Sequence, residues 1–128
     1  MAMVETVIVL PILFMLFFAI VEFAIAFGRW QVLSNAAREG ARRAVVFRDP
    51  ATCNAGTVEA EVDAAVVTYA ATLGMTVAVG DVTLTGACVA GPATVTVSHD
   101  HDFRFIDNFA PSVASTVTLV GTSTMRNE

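Results

Sequence analysis

Apolar residues form one almost unbroken run near the start of the chain. The run TVIVLPILFMLFFAIVEFAIAF covers residues 6–27, and only Thr6 and Glu22 in it are polar. At 1.5 Å per residue, a helix of this length can cross the hydrocarbon of a bilayer. The pattern therefore predicts a membrane-spanning helix over about residues 6–28.

The helical pattern continues beyond the apolar run to about Val46, but its residues become polar. Gly28-Arg29-Trp30 places a charge and an aromatic ring where the helix would leave the membrane. Glu39 stands three and four residues before Arg42 and Arg43, an order that favours ion pairs on a helix. These charges form either a solvated face or a contact between subunits.

Residues 47–74 predict a loop followed by a second helix. Arg48-Asp49-Pro50 breaks the helical pattern, because proline disfavours helical geometry at the residue before it. Thr57 is the expected N-cap, and Gly74 is the expected stop. The predicted apolar stripe of this helix consists of Val58, Val62, Ala65, Tyr69 and Leu73.

From Met75 onward the apolar residues alternate with a period of two, which is typical of strands. The alternation changes parity across Gly80-Asp81, where either a bulge or a two-residue turn would account for it. A long strand is expected over 93–106, a turn over 108–112 and a returning strand over 114–125. The predicted fold class is α+β: a long N-terminal helix (1–46) followed by a small head (47–128), with one helix packed on an antiparallel sheet.

Charge divides unevenly between these two parts. Residues 1–45 carry four arginines and three glutamates, whereas residues 46–128 carry three arginines and nine acidic residues, so the head is acidic. An acidic head argues against a nucleic-acid partner. The arginines after the apolar run would place the head in the cytoplasm by the positive-inside rule, unless a basic leader has been removed from the N-terminus.

Two cysteines, Cys53 and Cys88, argue for the opposite orientation. An even pair in a small domain favours a disulfide, which requires an oxidising compartment. Two free buried thiols are the alternative.

Candidate catalytic chemistry is sparse. His99 and His101 alternate with Asp100 and Asp102, but two histidines on one strand face are too few for a metal site. They are expected at a subunit contact or at the edge of the core. The chain has no lysine, no glycine-rich phosphate loop and no evident serine triad. We therefore expect no enzyme activity, no cofactor and no bound metal.

Two carboxylates in or near the apolar run require partners, because a charge in hydrocarbon is costly. With Met1 as the mature N-terminus, Glu5 lies one helical turn from an α-amino group, its own or that of a neighbouring copy. Glu22 lies on the same helix stripe as Arg29, about 10 Å away along the axis. That separation suits helices that are staggered against each other, so Glu22 is expected to pair with Arg29 of another copy. A hydrogen bond to a backbone carbonyl or amide freed near Pro11 is the alternative.

A Glu at position five of an apolar helix is typical of processed type IV-like pilins. More narrowly, Glu5, Leu10-Pro11, Glu22-Phe23 and the segment NAAREGARRA (35–44) resemble the TadE-like family of tight-adherence (Tad) pilus systems. The closing 125–128 segment is also similar, whereas Thr6 departs from the usual aromatic residue. Assembly roles are expected for these residues of the first helix: Met1, Glu5, Pro11, Glu22, Arg29, Arg38, Glu39, Arg42 and Arg43.

The resemblance implies a pilin-like subunit that is inserted in a bacterial inner membrane and then assembled into an extracellular filament. It also implies a prepilin peptidase, a platform protein, an assembly ATPase and, in a double-membrane cell, a secretin. A minor pseudopilin that initiates or caps the pilus is one alternative. A single-pass, membrane-anchored extracellular binding module is the other.

Overall fold

The structure, a computed structural model, describes residues 2–46, 52–89, 91–105 and 116–126. Within these ranges two helices precede a three-stranded antiparallel meander in the order β1-β2-β3, which confirms the α+β prediction. The elements are α1 (Ala2–Ala44), α2 (Ala55–Thr72), a 3-10 turn (Val79–Asp81), β1 (Val82–Thr85), β2 (Pro92–Asp102) and β3 (Thr116–Arg126).

The first helix runs through Pro11 without ending and stops at Ala44, two residues before the predicted end. Its C-terminal half buries one face of mostly small side chains: Leu33, Ala36, Ala37, Gly40, Ala41 and Ala44. These positions recur every three or four residues, the spacing of one helix face. Small side chains on that face let neighbouring elements approach α1 closely.

The second helix begins earlier than predicted. Asn54, not Thr57, is its N-cap: the side-chain oxygen accepts a hydrogen bond from the backbone N–H of Gly56 at 3.0 Å. Asn is among the best N-cap residues, so the cap competes successfully with Thr57. Gly74 ends the helix as predicted, with φ +74° and its N–H donating to the carbonyl of Ala71 at 3.0 Å.

The buried stripe of α2 differs from the prediction in its second half. Val58 and Val62 are buried as expected, but Val66 and Ala70 follow them. Tyr69 is only half-buried, and Leu73 is 53% exposed. A repeat of four residues keeps valine and alanine against α1. The two helices approach so closely at Gly40 that a tyrosine ring would not fit between them.

The parity change before β1 has a different cause from the two that were considered. No strand includes Val77 or Val79, and the Val79–Asp81 segment forms a 3-10 turn in which the Asp81 N–H donates to the Ala78 carbonyl at 3.0 Å. Val77 is nevertheless buried in the core. The bulge and the two-residue turn are therefore both wrong.

The long hairpin has slightly different bounds from those predicted. β2 ends at Asp102 instead of 106, β3 begins at Thr116, and the predicted turn at 108–112 lies outside the described residues. Ala93, Val95 and Val97 alternate inward along β2. Across the sheet the Thr94 and Thr124 hydroxyls lie 2.9 Å apart, and β1 pairs with β2 from Val82↔Val97 to Thr85↔Thr94.

Contacts group the chain into two compact units. One comprises Met1–Gly28 and Asp100–Val117, and the other comprises Arg29–His99 and Thr118–Glu128. The second unit contains the hydrophobic core, in which the buried face of α1 meets α2 and the sheet. Gly40 lies at this meeting point, with Val62, Val66 and Val95 around it.

Candidate functional site on the first helix

The N-terminal part of α1 exposes its apolar side chains on all sides. The large apolar residues from Met3 to Phe17 are between 45% and 85% exposed. Among the described residues α1 is the one helix long and apolar enough to cross a membrane, and 6% of its most apolar window is buried. A core helix of a soluble protein would be mostly covered, so this surface requires lipid or other apolar helices.

Glu22 follows this surface and is buried, with 5% of its area exposed. Its Oε1 accepts a hydrogen bond from the backbone N–H of Phe105 at 2.9 Å and a second one from the backbone N–H of Arg104. Both amides lie just beyond the end of β2. Backbone donors directed at a carboxylate stabilise it as they do at a helix N-terminus.

An aromatic stack lies one helical turn before this carboxylate. The rings of Phe18 and Phe105 are nearly parallel, with an interplanar angle of 9° and centroids 4.7 Å apart. Phe14 and Phe17 also contact Phe18. We call Phe18, Glu22, Arg104 and Phe105 together the Glu22 clasp.

These partners of Glu22 were not predicted from the sequence. The prediction paired it with Arg29 of another copy or with a backbone group freed near Pro11, whereas the structure shows it bonded to amides 82 and 83 residues away in the same chain. Backbone amides carry no sequence signature, so only the folded chain could identify them. Arg29 is exposed, and its contact with Glu22 of a second copy stays a prediction.

The predicted contact of Glu5 lies partly outside the described residues. Met1 is not among them, whereas Glu5 is exposed in the first turns of α1. Its pairing with an α-amino group therefore stays a prediction.

The predicted ion pairs of the polar half of α1 are present. Arg42 meets the Glu39 carboxylate with two nitrogens, Nη2 at 2.7 Å and Nε at 2.9 Å, and Arg43 Nε lies 3.3 Å from Oε1. The hydrogen bond from Arg42 lowers the pKa of Glu39, with a further contribution from Arg43. Arg38 contacts Asn35 at 3.4 Å. These pairs are solvent-exposed, so each contributes little to stability.

Trp30 has a structural role besides the interfacial one that was predicted. Its indole Nε1 donates to the backbone carbonyl of Val120 at 3.1 Å, although the residue is 41% exposed. The next residue along β3, Gly121, lies against the backbone of Leu33 and Ser34. β3 thus packs directly on the backbone of α1.

Cys53 and Cys88 form a disulfide, with their Cα atoms 5.7 Å apart. Cys53 directly precedes the N-cap of α2, and Cys88 lies in the loop between β1 and β2. The bond joins the loop before α2 to the loop before β2, and it confirms the predicted disulfide.

Both histidines lie near the C-terminal end of β2. His101 is 4% exposed, and its ring meets Phe103 edge-on at 5.0 Å, whereas His99 is half-buried. Within the described residues no group of three or more His, Cys, Asp or Glu side chains could hold a metal ion.

Comparison with known proteins gives one match. The family model described as TadE-like protein matches residues 1–42. No curated protein and no solved structure matches the chain. The matched region coincides with α1, which carries the exposed apolar surface, both carboxylates and the Glu39 ion pairs. Over residues 1–42, which form nearly all of this N-terminal helix, the chain is similar to TadE-like proteins.

Proposed function

We propose that the chain is a pilin-like structural subunit of a Tad pilus, without catalytic activity. One observation carries the proposal: α1 exposes an apolar surface from Met3 to Phe17, and the same unbroken helix contributes its C-terminal half to the hydrophobic core of the head. A helix of this kind can anchor the subunit in a membrane and later bundle with its copies. The match to TadE-like proteins over residues 1–42 supports the association with a pilus.

The cost of exposing apolar side chains favours burial of this helix in two environments, first lipid and then other copies of the helix. Twelve large apolar side chains lie exposed between Met3 and Phe17. Burying such a side chain is worth about 1.5–3 kcal/mol, so exposing all twelve to water costs on the order of 20 kcal/mol. The helix therefore cannot leave lipid unless another apolar surface replaces it. Copies of the same helix, packed side by side, supply that surface.

In this proposal the subunit first resides in the inner membrane with its head on the extracytoplasmic side. The Cys53–Cys88 disulfide supports that side, since such bonds persist in oxidising compartments. A prepilin peptidase, a platform protein, an assembly ATPase and a secretin are the partners that the family association suggests. Assembly would then move the subunit into an extracellular filament.

The direct test is purification of sheared surface filaments, followed by electron microscopy and quantitative mass spectrometry. A filament subunit is expected in stoichiometric amounts, and Glu5→Ala is expected to remain in the membrane but to lower the number of pili. A few copies per filament would indicate an initiating or capping pseudopilin. A protein that stays in the membrane and is absent from filaments would contradict the proposal and favour an anchored binding module.

A further inference from the structure

The Glu22 clasp restricts how deep α1 can lie in a bilayer. Phe105 stacks face to face on Phe18 with ring centroids 4.7 Å apart, so the depths of the two rings differ by no more than that distance. The backbone at Phe103 and Arg104 is neither helix nor strand. Irregular backbone exposed to lipid does not occur within the hydrocarbon region, so with the clasp closed the hydrocarbon must end near Phe18 to Glu22.

The length of the helix agrees with this boundary. Met3–Val21 comprises 19 residues, which span about 28 Å at 1.5 Å per residue. The hydrocarbon of a typical bilayer is about 30 Å thick. The span is therefore shifted toward the N-terminus compared with the predicted 6–28, and Glu22 lies at the membrane surface instead of within the lipid.

The exposed parts of the clasp have the chemistry of a membrane interface. Phe105 is 47% exposed despite the stack, and Arg104 beside it is exposed. Asp102, the nearest acidic residue before them, accepts a hydrogen bond from Thr116 at 2.8 Å. An aromatic ring next to a cation suits the boundary where acyl chains meet phosphate groups.

We propose that the Glu22 clasp is a second membrane contact, in which Phe105 enters the lipid interface beside Phe18 and Arg104 faces the phospholipid headgroups. Glu22 is its positioning residue, because it binds the two backbone amides that hold Arg104 and Phe105 against α1. The carboxylate thereby sets the depth of the helix in the bilayer and also holds the segment after β2 against α1. The proposal rests on the membrane-spanning helix of the proposed function, but not on filament assembly.

The test places a fluorescent probe at the clasp. Phe105→Trp is made in a Trp30→Phe chain, so that the indole at 105 is the single one, and the protein is reconstituted in vesicles of phosphatidylcholine and phosphatidylglycerol. The vesicles also contain lipids that carry bromine atoms at a defined depth. We expect lipids brominated near the headgroups to quench the fluorescence of this Trp more strongly than lipids brominated near the bilayer centre. Glu22→Ala is expected to abolish that preference, whereas Glu59→Gln, a change in an exposed carboxylate on α2, is expected to preserve it.

Amide hydrogen exchange in the otherwise unchanged chain gives an independent measurement. Glu22→Ala is expected to speed exchange at Arg104 and Phe105, and Glu59→Gln is expected to leave it unchanged. Three results would each overturn the inference. They are quenching of Trp fluorescence by water-soluble iodide alone, stronger quenching by lipids brominated near the bilayer centre, and shielding of the Trp that depends on protein density and not on lipid. The last result would indicate a second copy over Phe105. A chain that fails to enter vesicles would contradict the proposed function as well.

Discussion

Replacing Gly121 by alanine tests how closely β3 approaches the first helix. A Cβ atom built at Gly121 would lie 2.5 Å from the carbonyl carbon of Leu33 and 2.7 Å from both its oxygen and the Ser34 nitrogen. All three are backbone atoms of α1, so no side-chain rotation can relieve the overlap. The strand must move away from the helix, or the helix must bend.

The expected cost follows from this geometry. Overpacking a core costs about 1–3 kcal/mol, occasionally more, and rigid backbone neighbours place Gly121→Ala at the upper end. Gly40→Ala overlaps Val66 Cγ2 at 2.7 Å, a side-chain atom, and gains about 1 kcal/mol of helix propensity in return. Gly28→Ala meets nothing within 4 Å and should gain up to about 1 kcal/mol. From most to least stable, the expected order is therefore Gly28→Ala, wild type, Gly40→Ala and Gly121→Ala.

The assay is thermal unfolding of the full chain in detergent micelles, followed by the fluorescence of Trp30, the single tryptophan. For a domain of this size, 1 kcal/mol corresponds to about 4–8 °C in Tm, so Gly121→Ala should lower Tm by about 10 °C or more. Gly28→Ala is the matched control for the loss of glycine flexibility. If Gly121→Ala were as stable as Gly28→Ala, the direct packing of β3 on the α1 backbone would be refuted.

Three further predictions concern other residues. Replacing both Cys53 and Cys88 by serine should lower stability by about 4 kcal/mol, because the bond closes a loop with a sequence separation of 35; unchanged urea unfolding, or stoichiometric thiol labelling of the unreduced wild type, would contradict it. Burial and the nearby Glu59 charge raise the pKa of Asp63, so the folded chain holds that proton more tightly and loses stability as the pH rises above about 3.8. Asp63→Asn should therefore be neutral at low pH and stabilising by about 0.5 kcal/mol at pH 7, and an equal effect at both pH values in urea titrations would exclude the electrostatic origin. Glu22→Gln retains an acceptor oxygen for a backbone amide but lacks the charge. If Glu22 makes an ionic contact with Arg29 of another copy, filaments of this variant should resist heat and salt less well than wild-type filaments. Equal resistance to heat and salt would rule that contact out.

The features that were predictable from the sequence depend on local patterns. The apolar run, the Glu39 ion pairs and the Gly74 helix stop each depend on residues a few positions apart, and the structure contains all three. The change to a period of two likewise predicted the sheet, and the strand order confirmed a meander.

The features that were missed depend on tertiary contacts. The buried stripe of α2 moved to Val66 and Ala70 because Gly40 of the facing helix selects small side chains there. A one-turn 3-10 segment leaves the same parity change as a bulge, so alternation alone could not distinguish them. The partners of Glu22 are main-chain groups more than 80 residues away, and nothing in their side chains identifies them.

The Cys53–Cys88 bond has a consequence for the order in which the subunit matures. The bridged segment includes all of α2 and β1, so this part of the head receives its covalent closure only where thiols can be oxidised. If the head is exported as the proposed function requires, the same segment is an open chain in the reducing cytoplasm before export, and it can be threaded through a translocation channel. Export would therefore precede full stabilisation, and the heads that enter assembly would be those that had already crossed the membrane and oxidised.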